Sequence, residues 1–429
     1  MVLALHPAAK AAAIAALNVG LAHVKVAKGA LLDSFSAFVA AYQANETLPQ
    51  TGKFHDELVE YIDDLPLAEF VVEQLRRDIS ESDQISFDQD SPTQSLCDLP
   101  GFEDIPLVAS RLIDAFVTLP WRYSLTLELS NRVFPEKLFE SGTLSIGQTG
   151  RLTWPDLLFG EQYPLDHDNP KIKSRLSRSG FGLLLGPPSW KQDRPCYQHD
   201  DIGYIGIYGR GNVVDRAERR LESFLGLGIA MRLLTHEYQY QNSKSDFHWI
   251  VHICNDDQRE FYTKLDLDEE ISEVLRHINS FKFDSNYPED SRVPWLLSVI
   301  HRMDSIIRSD RSNILLLSSK WFFDSFKGKD QTLHYIRLMT TLEILLGEHA
   351  DTSKASLGEI LGNRLAYLIG KNHKDRSDIL SDFKKIYNTR SHILHHGKHK
   401  LKGQERTYIA KLRTFCQRAI EEEVRLILA

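Results

Sequence analysis

Cysteine is scarce in this chain, and the few cysteines lie far apart. The four are Cys97, Cys196, Cys254 and Cys416 among 429 residues, and none belongs to a Cys-x-x-Cys pair. This spacing argues against a disulfide framework or a cysteine-rich zinc site and favours a reducing compartment. We therefore predict a cytoplasmic location. Separately, no cofactor and no metal are expected for this chain.

Long apolar runs are also missing. Residues 11–22 form an apolar run of only 12 residues, bracketed by Lys10, His23, Lys25 and Lys28. A membrane span needs about 20 apolar residues, and a secretory signal carries its positive charge before the apolar run rather than after it. We expect an amphipathic packing helix here and no membrane association.

The chain has no overall positive charge, since its net charge is −8. The charge is unevenly distributed: residues 371–429 carry 14 Lys and Arg against 7 Asp and Glu, a balance of +7, which leaves −15 for the rest. A basic segment of this kind attracts polyanions such as RNA. A solvated basic helix surface explains the same charge without any ligand.

The order of periodic patterns predicts an α+β N-terminal and middle region followed by an all-α helical bundle. Residues 1–90 read as helical, with a polar, acidic loop over 78–98. Residues 100–287 form a predicted α+β domain. Its strands are expected at 123–129, 142–146, 202–208 and 247–254, and a helix at 213–234.

A proline-containing stretch, residues 286–294, predicts a domain boundary. Beyond it, residues 292–429 show only helical periodicity, which predicts a six-helix bundle. The predicted helices are 295–308, 313–326, 331–346, 356–369, 377–396 and 404–428.

The segment most suggestive of chemistry is residues 386–400, IYNTRSHILHHGKHK. Arg390 is followed by His395 after five positions and by His396 after six. An Arg and a His at this spacing occur by chance in a chain with 17 histidines, so the pair needs support from its surroundings.

The surrounding residues resemble the Apea-like branch of the HEPN superfamily, whose signature is a Tyr, then Arg-Ser, an apolar pair, His and Gly. The corresponding residues are Tyr387, Arg390, Ser391, Ile393, Leu394, His395 or His396, and Gly397. Residues 338–346 resemble the family helix with a Leu-Glu-x-Leu-Leu core, in which Glu343 takes the Glu place, and residues 363–370 resemble the next helix. The family His directly precedes the Gly at five residues from Arg. Here His395 has that offset and His396 has that neighbour, so the choice between them stays open.

The resemblance implies an endoribonuclease that works without metal. Histidine titrates near neutrality and serves as acid or base, and arginine holds a phosphate with a charged planar fork. Five residues along an unbroken helix turn a side chain by about 140°, so a site within one protomer requires the helix to end between Arg390 and the histidine. HEPN relatives place two copies of the motif across a dimer interface, which implies a homodimer here.

Supporting roles follow from the same resemblance. Ser391 would orient the phosphate or cap the local backbone, Glu343 would orient Arg390 from a buried position, and Lys398 and Lys400 would hold flanking RNA. Three alternatives remain open at this point. Arg390 and Glu343 could form a purely structural ion pair between helices, Glu343 could carry a proton, and a histidine cluster could bind a metal. The cluster is His392, His395, His396 and His399.

The expected function is therefore RNA cleavage by the effector of a prokaryotic antiviral or abortive-infection system. Residues 1–287 would then sense a phage or host trigger. The alternative is a non-catalytic HEPN dimer that binds RNA or a protein partner. The biological role rests on the family resemblance alone.

Overall fold

The computed structural model describes residues 5–154, 194–206, 211–237, 247–255, 258–347, 356–396 and 400–429. It shows a mixed α+β region followed by a C-terminal region in which every described element is a helix. The predicted fold class is confirmed at this level. No helix among the described residues has the length and apolar character that a membrane crossing requires.

The N-terminal region is a helical unit with its own core. Its helices are α1 (Pro7–Leu21), α2 (Ser34–Asn45), α3 (Lys53–Tyr61), α4 (Pro66–Glu81) and α5 (Ile105–Phe116). Three short antiparallel strands, β1 (Lys25–Ala27), β2 (Leu31–Leu32) and β3 (Gln94–Ser95), pair in the order β2-β1-β3. Buried residues of this core run from Ala13 to Leu119, and Tyr204 of the middle region joins them. A Cβ on Gly20 would lie 2.3 Å from the carbonyl oxygen of Ala40, so α1 and α2 pack backbone to backbone.

Two local predictions in this unit are wrong. The predicted loop over 78–98 is partly regular, because α4 continues to Glu81 and residues 94–95 pair with β1. Ile79, within that stretch, is buried in the core, which explains why the helix continues past its polar neighbours. Residues 1–90, predicted as helical, also contain strands: Lys25 begins β1, and Lys28 has a positive φ of 50° in the turn that follows.

The middle region is built on a six-stranded antiparallel sheet in the order β10-β9-β4-β7-β6-β5. Its strands are β4 (Trp121–Glu128), β5 (Leu144–Ile146), β6 (Gly150–Thr153), β7 (Cys196–Gly203), β9 (His248–Asn255) and β10 (Gln258–Asp266). A two-stranded sheet, β8 (Leu234–His236) with β11 (Ile278–Ser280), and two helices, α6 (Asn212–Ala230) and α7 (Glu269–Arg276), complete it.

Strand β7 is the main departure from the predicted strands. The prediction placed a strand at 202–208, whereas β7 covers 196–203, and positions 207 and 208 lie outside the described residues. The first four residues of the strand are buried despite its polar sequence, CYQHDDIG. Its polar groups bond across the sheet: Gln198 Nε2 donates to Ser124 Oγ at 2.6 Å. An apolar–polar alternation is therefore absent, and the pattern used to find strands misses it.

The C-terminal bundle contains the six predicted helices. They are α8 (Glu289–Ile307), α9 (Asn313–Asp324), α10 (Gln331–Gly347), α11 (Leu357–Ile369), α12 (His373–His396) and α13 (Gly403–Leu428). The largest shift is at α8, which begins at Glu289 and contains Pro294, where the sequence had suggested a chain break.

The middle region and the bundle share one hydrophobic core, whose buried residues run from Tyr123 to Val424. Helix α6 packs along α9 so closely that a Cβ on Gly226 would lie 1.9 Å from the carbonyl oxygen of Ser319. The buried Lys327 ammonium also contacts the Glu222 carboxylate of α6 and lies 2.7 Å from Asp324 Oδ1 at the end of α9. The predicted boundary at 287–292 thus separates segments whose buried side chains belong to the same core.

Candidate functional site

Arg390 and Glu343 meet between α12 and α10. The Arg390 Nη2 group donates to Glu343 Oε2 at 3.2 Å, and Arg390 Nε lies 3.0 Å from Oε1. The second contact is an ion pair without hydrogen-bond alignment, because Oε1 accepts no hydrogen bond from the described residues. The Arg390 and Glu343 side chains keep 22% and 20% of their surface exposed. The guanidinium is therefore oriented by Glu343 and still reaches solvent.

Tyr387 supports the guanidinium from one turn earlier on α12. The Arg390 Cζ atom lies 5.8 Å from the centre of the Tyr387 ring, within the range of a cation–π contact. The ring itself rests on α11, where a Cβ on Gly358 would lie 2.6 Å from Tyr387 Cδ1. Any side chain at position 358 would displace the ring and, through it, the guanidinium.

The backbone of α12 is held in place beside the site. The hydroxyl of the buried Tyr335 donates to the carbonyl oxygen of Ile386 at 2.8 Å, joining α10 to α12 one turn before Arg390. Tyr335 and Gly358 were not identified from the sequence. Gly358 lies near the start of a helix, where glycine is unfavourable, and that anomaly was the available signal.

His395 lies on a different side of α12 from Arg390. The helix is unbroken through His396, so it does not end between the two residues. At about 100° per residue, His395 points about 140° away from Arg390 and sits about 7.5 Å further along the axis. His395 is exposed and Ser391 is half-buried. One copy of the chain thus brings together Glu343, Tyr387 and Arg390 but leaves His395 apart.

The remaining predicted residues follow Ser391 and His395 in the sequence. His396 is the last helical residue, and its side chain lies outside what the structure describes. Lys398 and Gly397 also lie outside the described residues, whereas Lys400 is exposed. Among the described residues, no group of three or more His, Cys, Asp and Glu is placed to hold a metal ion.

The basic charge of the tail is partly neutralised by ion pairs. Lys411 Nζ lies 2.6 Å from Asp382 Oδ2, and Arg418 Nη2 lies 3.5 Å from Asp375 Oδ2. Lys384 and Lys385 of α12 remain exposed. Exposed positive charge that could attract RNA therefore remains on α12 and at Lys400.

Comparisons of the chain with protein-family models, with curated proteins and with solved structures found no match.

Proposed function

We propose that this protein is a metal-independent endoribonuclease of the HEPN type that acts as a homodimer. The observation that carries the proposal is a partly exposed guanidinium, Arg390, held by Glu343 and Tyr387 on a helix that presents His395 five residues later. The residues around it resemble the HEPN motif. In this proposal the chain is the effector of a prokaryotic defence system, and residues 1–287 respond to the trigger.

The proposed reaction is an internal transfer within RNA. The 2′-oxygen attacks the adjacent phosphorus as a base takes its proton, and the bond to the 5′-oxygen breaks as an acid protonates the leaving group. The products are a 2′,3′-cyclic phosphate and a 5′-hydroxyl. Arg390 would stabilise the extra negative charge on the phosphorus-centred transition state. His395 or His396 would move the proton, as imidazole can near neutral pH.

A dimer supplies the histidine that one chain does not place beside its own Arg390. Since the two side chains diverge by about 140° on one helix, they can meet only across two copies of α12. Leu394 favours such a contact. It follows Arg390 by four residues, which places it on nearly the same side of α12, and 48% of its surface is exposed. An exposed leucine beside the proposed catalytic arginine suits a subunit interface.

The experiment is RNA cleavage by the purified full-length protein in EDTA, with analysis of the RNA ends. We expect 2′,3′-cyclic phosphate ends from the wild type. General acid–base groups contribute about 10² to 10⁴-fold, so Arg390→Ala and His395→Ala should each lose at least about 10²-fold. His373→Ala removes an exposed histidine from the start of the same helix and should cleave like the wild type.

Each outcome separates the alternatives. If His396→Ala loses activity and His395→Ala does not, His396 is the acting histidine. If all variants cleave equally, the activity comes from a contaminant and the proposal fails.

The second candidate is a non-catalytic dimer that binds RNA or a protein partner. The observation that favours it is the ion pair itself, because Arg390 already has an anionic partner in Glu343. RNA binding by the wild type without cleavage, weakened by Lys400→Ala, would support this function instead.

A further inference from the structure

A polar cavity lies between the six-stranded sheet and the start of the bundle, and Arg390 is not part of its lining. Its volume is about 250 Å³. The walls come from the β5–β6 turn, strand β7, helix α6 and residues 307–316 at the α8–α9 connection. It therefore touches both regions that share the large core.

The hydroxyl of a buried tyrosine lines this cavity. Tyr197 of β7 is 1% exposed, and its ring stacks on Phe224 with ring centres 5.7 Å apart. Among the residues that the structure describes, none forms a hydrogen bond with the Tyr197 hydroxyl. A Cβ on Gly150 would lie 3.4 Å from this hydroxyl, so the glycine leaves space in front of it. The hydroxyl therefore keeps its donor and acceptor capacity for a ligand in the cavity.

Positive charge faces the same hydroxyl. Arg220 of α6 lines the cavity, is exposed, and forms no ion pair within the described part of the chain. Burial raises the pKa of Tyr197, and the positive charge of Arg220 opposes that rise. An arginine that shares a cavity with an unpaired hydroxyl is a suitable partner for an anionic group.

The N-terminus of α9 adds unpaired N–H groups to the lining. Ser312 and Asn313 line the cavity, and α9 has no side-chain cap and no acidic residue in its first turn. The Ser312 hydroxyl instead donates to the carbonyl oxygen of Ser309 at 2.7 Å. Uncapped helix N-termini bind anions because their first N–H groups lack intrahelical acceptors.

The other charged groups of the cavity do not cancel this preference. Arg308 Nε is committed to Asp304, with both carboxylate oxygens at 3.0 Å. Asp304 also accepts from the Gly147 N–H at 2.7 Å, which fixes the β5–β6 turn. Asp310 is exposed, and solvent screens its charge. Its negative charge therefore weakens anion binding only partly, so removing that charge should strengthen the binding of an anion.

We propose that this cavity binds a small phosphorylated molecule. The phosphate lies between the Arg220 guanidinium, the Tyr197 hydroxyl and the first N–H groups of α9, and the organic part packs on Ile307 and Leu316. The volume is below the roughly 300 Å³ at which pockets for drug-sized ligands begin, so the ligand is a mononucleotide or smaller. This binding does not depend on the RNA cleavage proposed above.

The test is isothermal titration calorimetry with the full-length protein at constant ionic strength in chloride. The probes are inorganic phosphate, adenosine 5′-monophosphate and adenosine. We expect both phosphate-containing probes to bind and adenosine to show no binding. Arg220→Gln should weaken binding at least tenfold, and Tyr197→Phe about tenfold, since each removes a hydrogen bond to a charged group. Asp310→Asn should tighten it.

Arg219→Gln is the matched control. Arg219 is the neighbouring exposed arginine of α6, is outside the cavity lining, and donates to the Asp215 carbonyl oxygen at 3.2 Å. The affinity of the Arg219→Gln variant for each probe should equal that of the wild type. Binding of phosphate alone would support the site and identify a free-phosphate ligand.

Three results would overturn the proposal. The first is that neither phosphate-containing probe binds. The second is that Arg220→Gln and Arg219→Gln lose the same amount of affinity, and the third is that adenosine binds as tightly as its monophosphate. Arg220 and Asp310 are both exposed, so their variants keep the fold. If Tyr197→Phe does not fold, the weaker binding by Arg220→Gln and the tighter binding by Asp310→Asn can still be measured.

Discussion

The contact between Arg390 and Glu343 allows a quantitative test, because both side chains are more than three-quarters buried. Exposed ion pairs contribute about 0–1 kcal/mol, whereas removing one partner of a fully buried pair costs about 3–5 kcal/mol. With 22% and 20% of the two side chains exposed and one aligned hydrogen bond at 3.2 Å, the coupling energy should fall between these limits. We expect about 1–2 kcal/mol.

The perturbation is a double-mutant cycle of Glu343→Gln, Arg390→Gln and the combined variant. Each single change leaves a partly buried charge without its partner, so each should destabilise the chain by about 1–3 kcal/mol. The combined variant removes both charges and should cost less than the sum of the two. The assay is urea denaturation followed by circular dichroism.

An exposed pair on α13 gives the matched control for the cycle. Arg425 Nε lies 2.8 Å from Glu422 Oε2, with 66% and 37% of the side chains exposed. Its coupling energy should stay below about 0.5 kcal/mol. A coupling for Arg390 and Glu343 no larger than that of the control would refute the argument that Glu343 orients the arginine.

The same variants separate two roles of Glu343 in RNA cleavage. If Glu343 only orients Arg390, Glu343→Gln should keep cleavage within about tenfold of the wild type, because glutamine can still accept from the guanidinium. Arg390→Gln should lose about 10² to 10³-fold, as expected for a group that stabilises transition-state charge. Equal losses in the two variants would identify Glu343 as a proton carrier instead.

Three further predictions concern the core, the pH dependence and the dimer. Gly226→Ala should destabilise the chain by more than about 2 kcal/mol, because its Cβ would overlap the Ser319 carbonyl oxygen at 1.9 Å. Gly347→Ala, where a Cβ would meet nothing within 4 Å, should leave the urea midpoint unchanged or raise it. Burial, followed by the charges of Asp268 and Glu222, raises the pKa of Glu218 from 4.5 to about 7. Its neutral form is therefore favoured in the folded chain, and the stability this group contributes is present below pH 4.5 and lost as pH rises through 7. Glu218→Gln should accordingly raise the urea midpoint more at pH 8 than at pH 5, and an equal gain at both would contradict the shift. Leu394→Glu should lower the dimer fraction in analytical ultracentrifugation and reduce RNA cleavage with it; a dimer as stable as the wild type would exclude this face of α12 as the interface.

The secondary structure of the bundle could be read from the amino-acid sequence because it depends on local periodicity. All six helices from α8 to α13 were expected at nearly their observed positions, since apolar residues at helical spacing produce a buried face whatever they pack against. The residues around Arg390 were singled out because they resemble a known family motif, and that resemblance stays a prediction. The possible pairing of Arg390 with Glu343 was anticipated as well, because each occupies a place in a resembled motif.

Only the tertiary structure decided which distant residues meet. The first part of strand β7 escaped prediction because its buried polar groups bond to β4, which the local pattern does not record. Gly358 and Tyr335 support the α12 helix through contacts across 29 and 51 residues of sequence. The cavity at Tyr197 takes its walls from segments spread between residues 146 and 316. Packing between such distant segments depends on how the whole chain folds, so periodicity along any one of them does not reveal it.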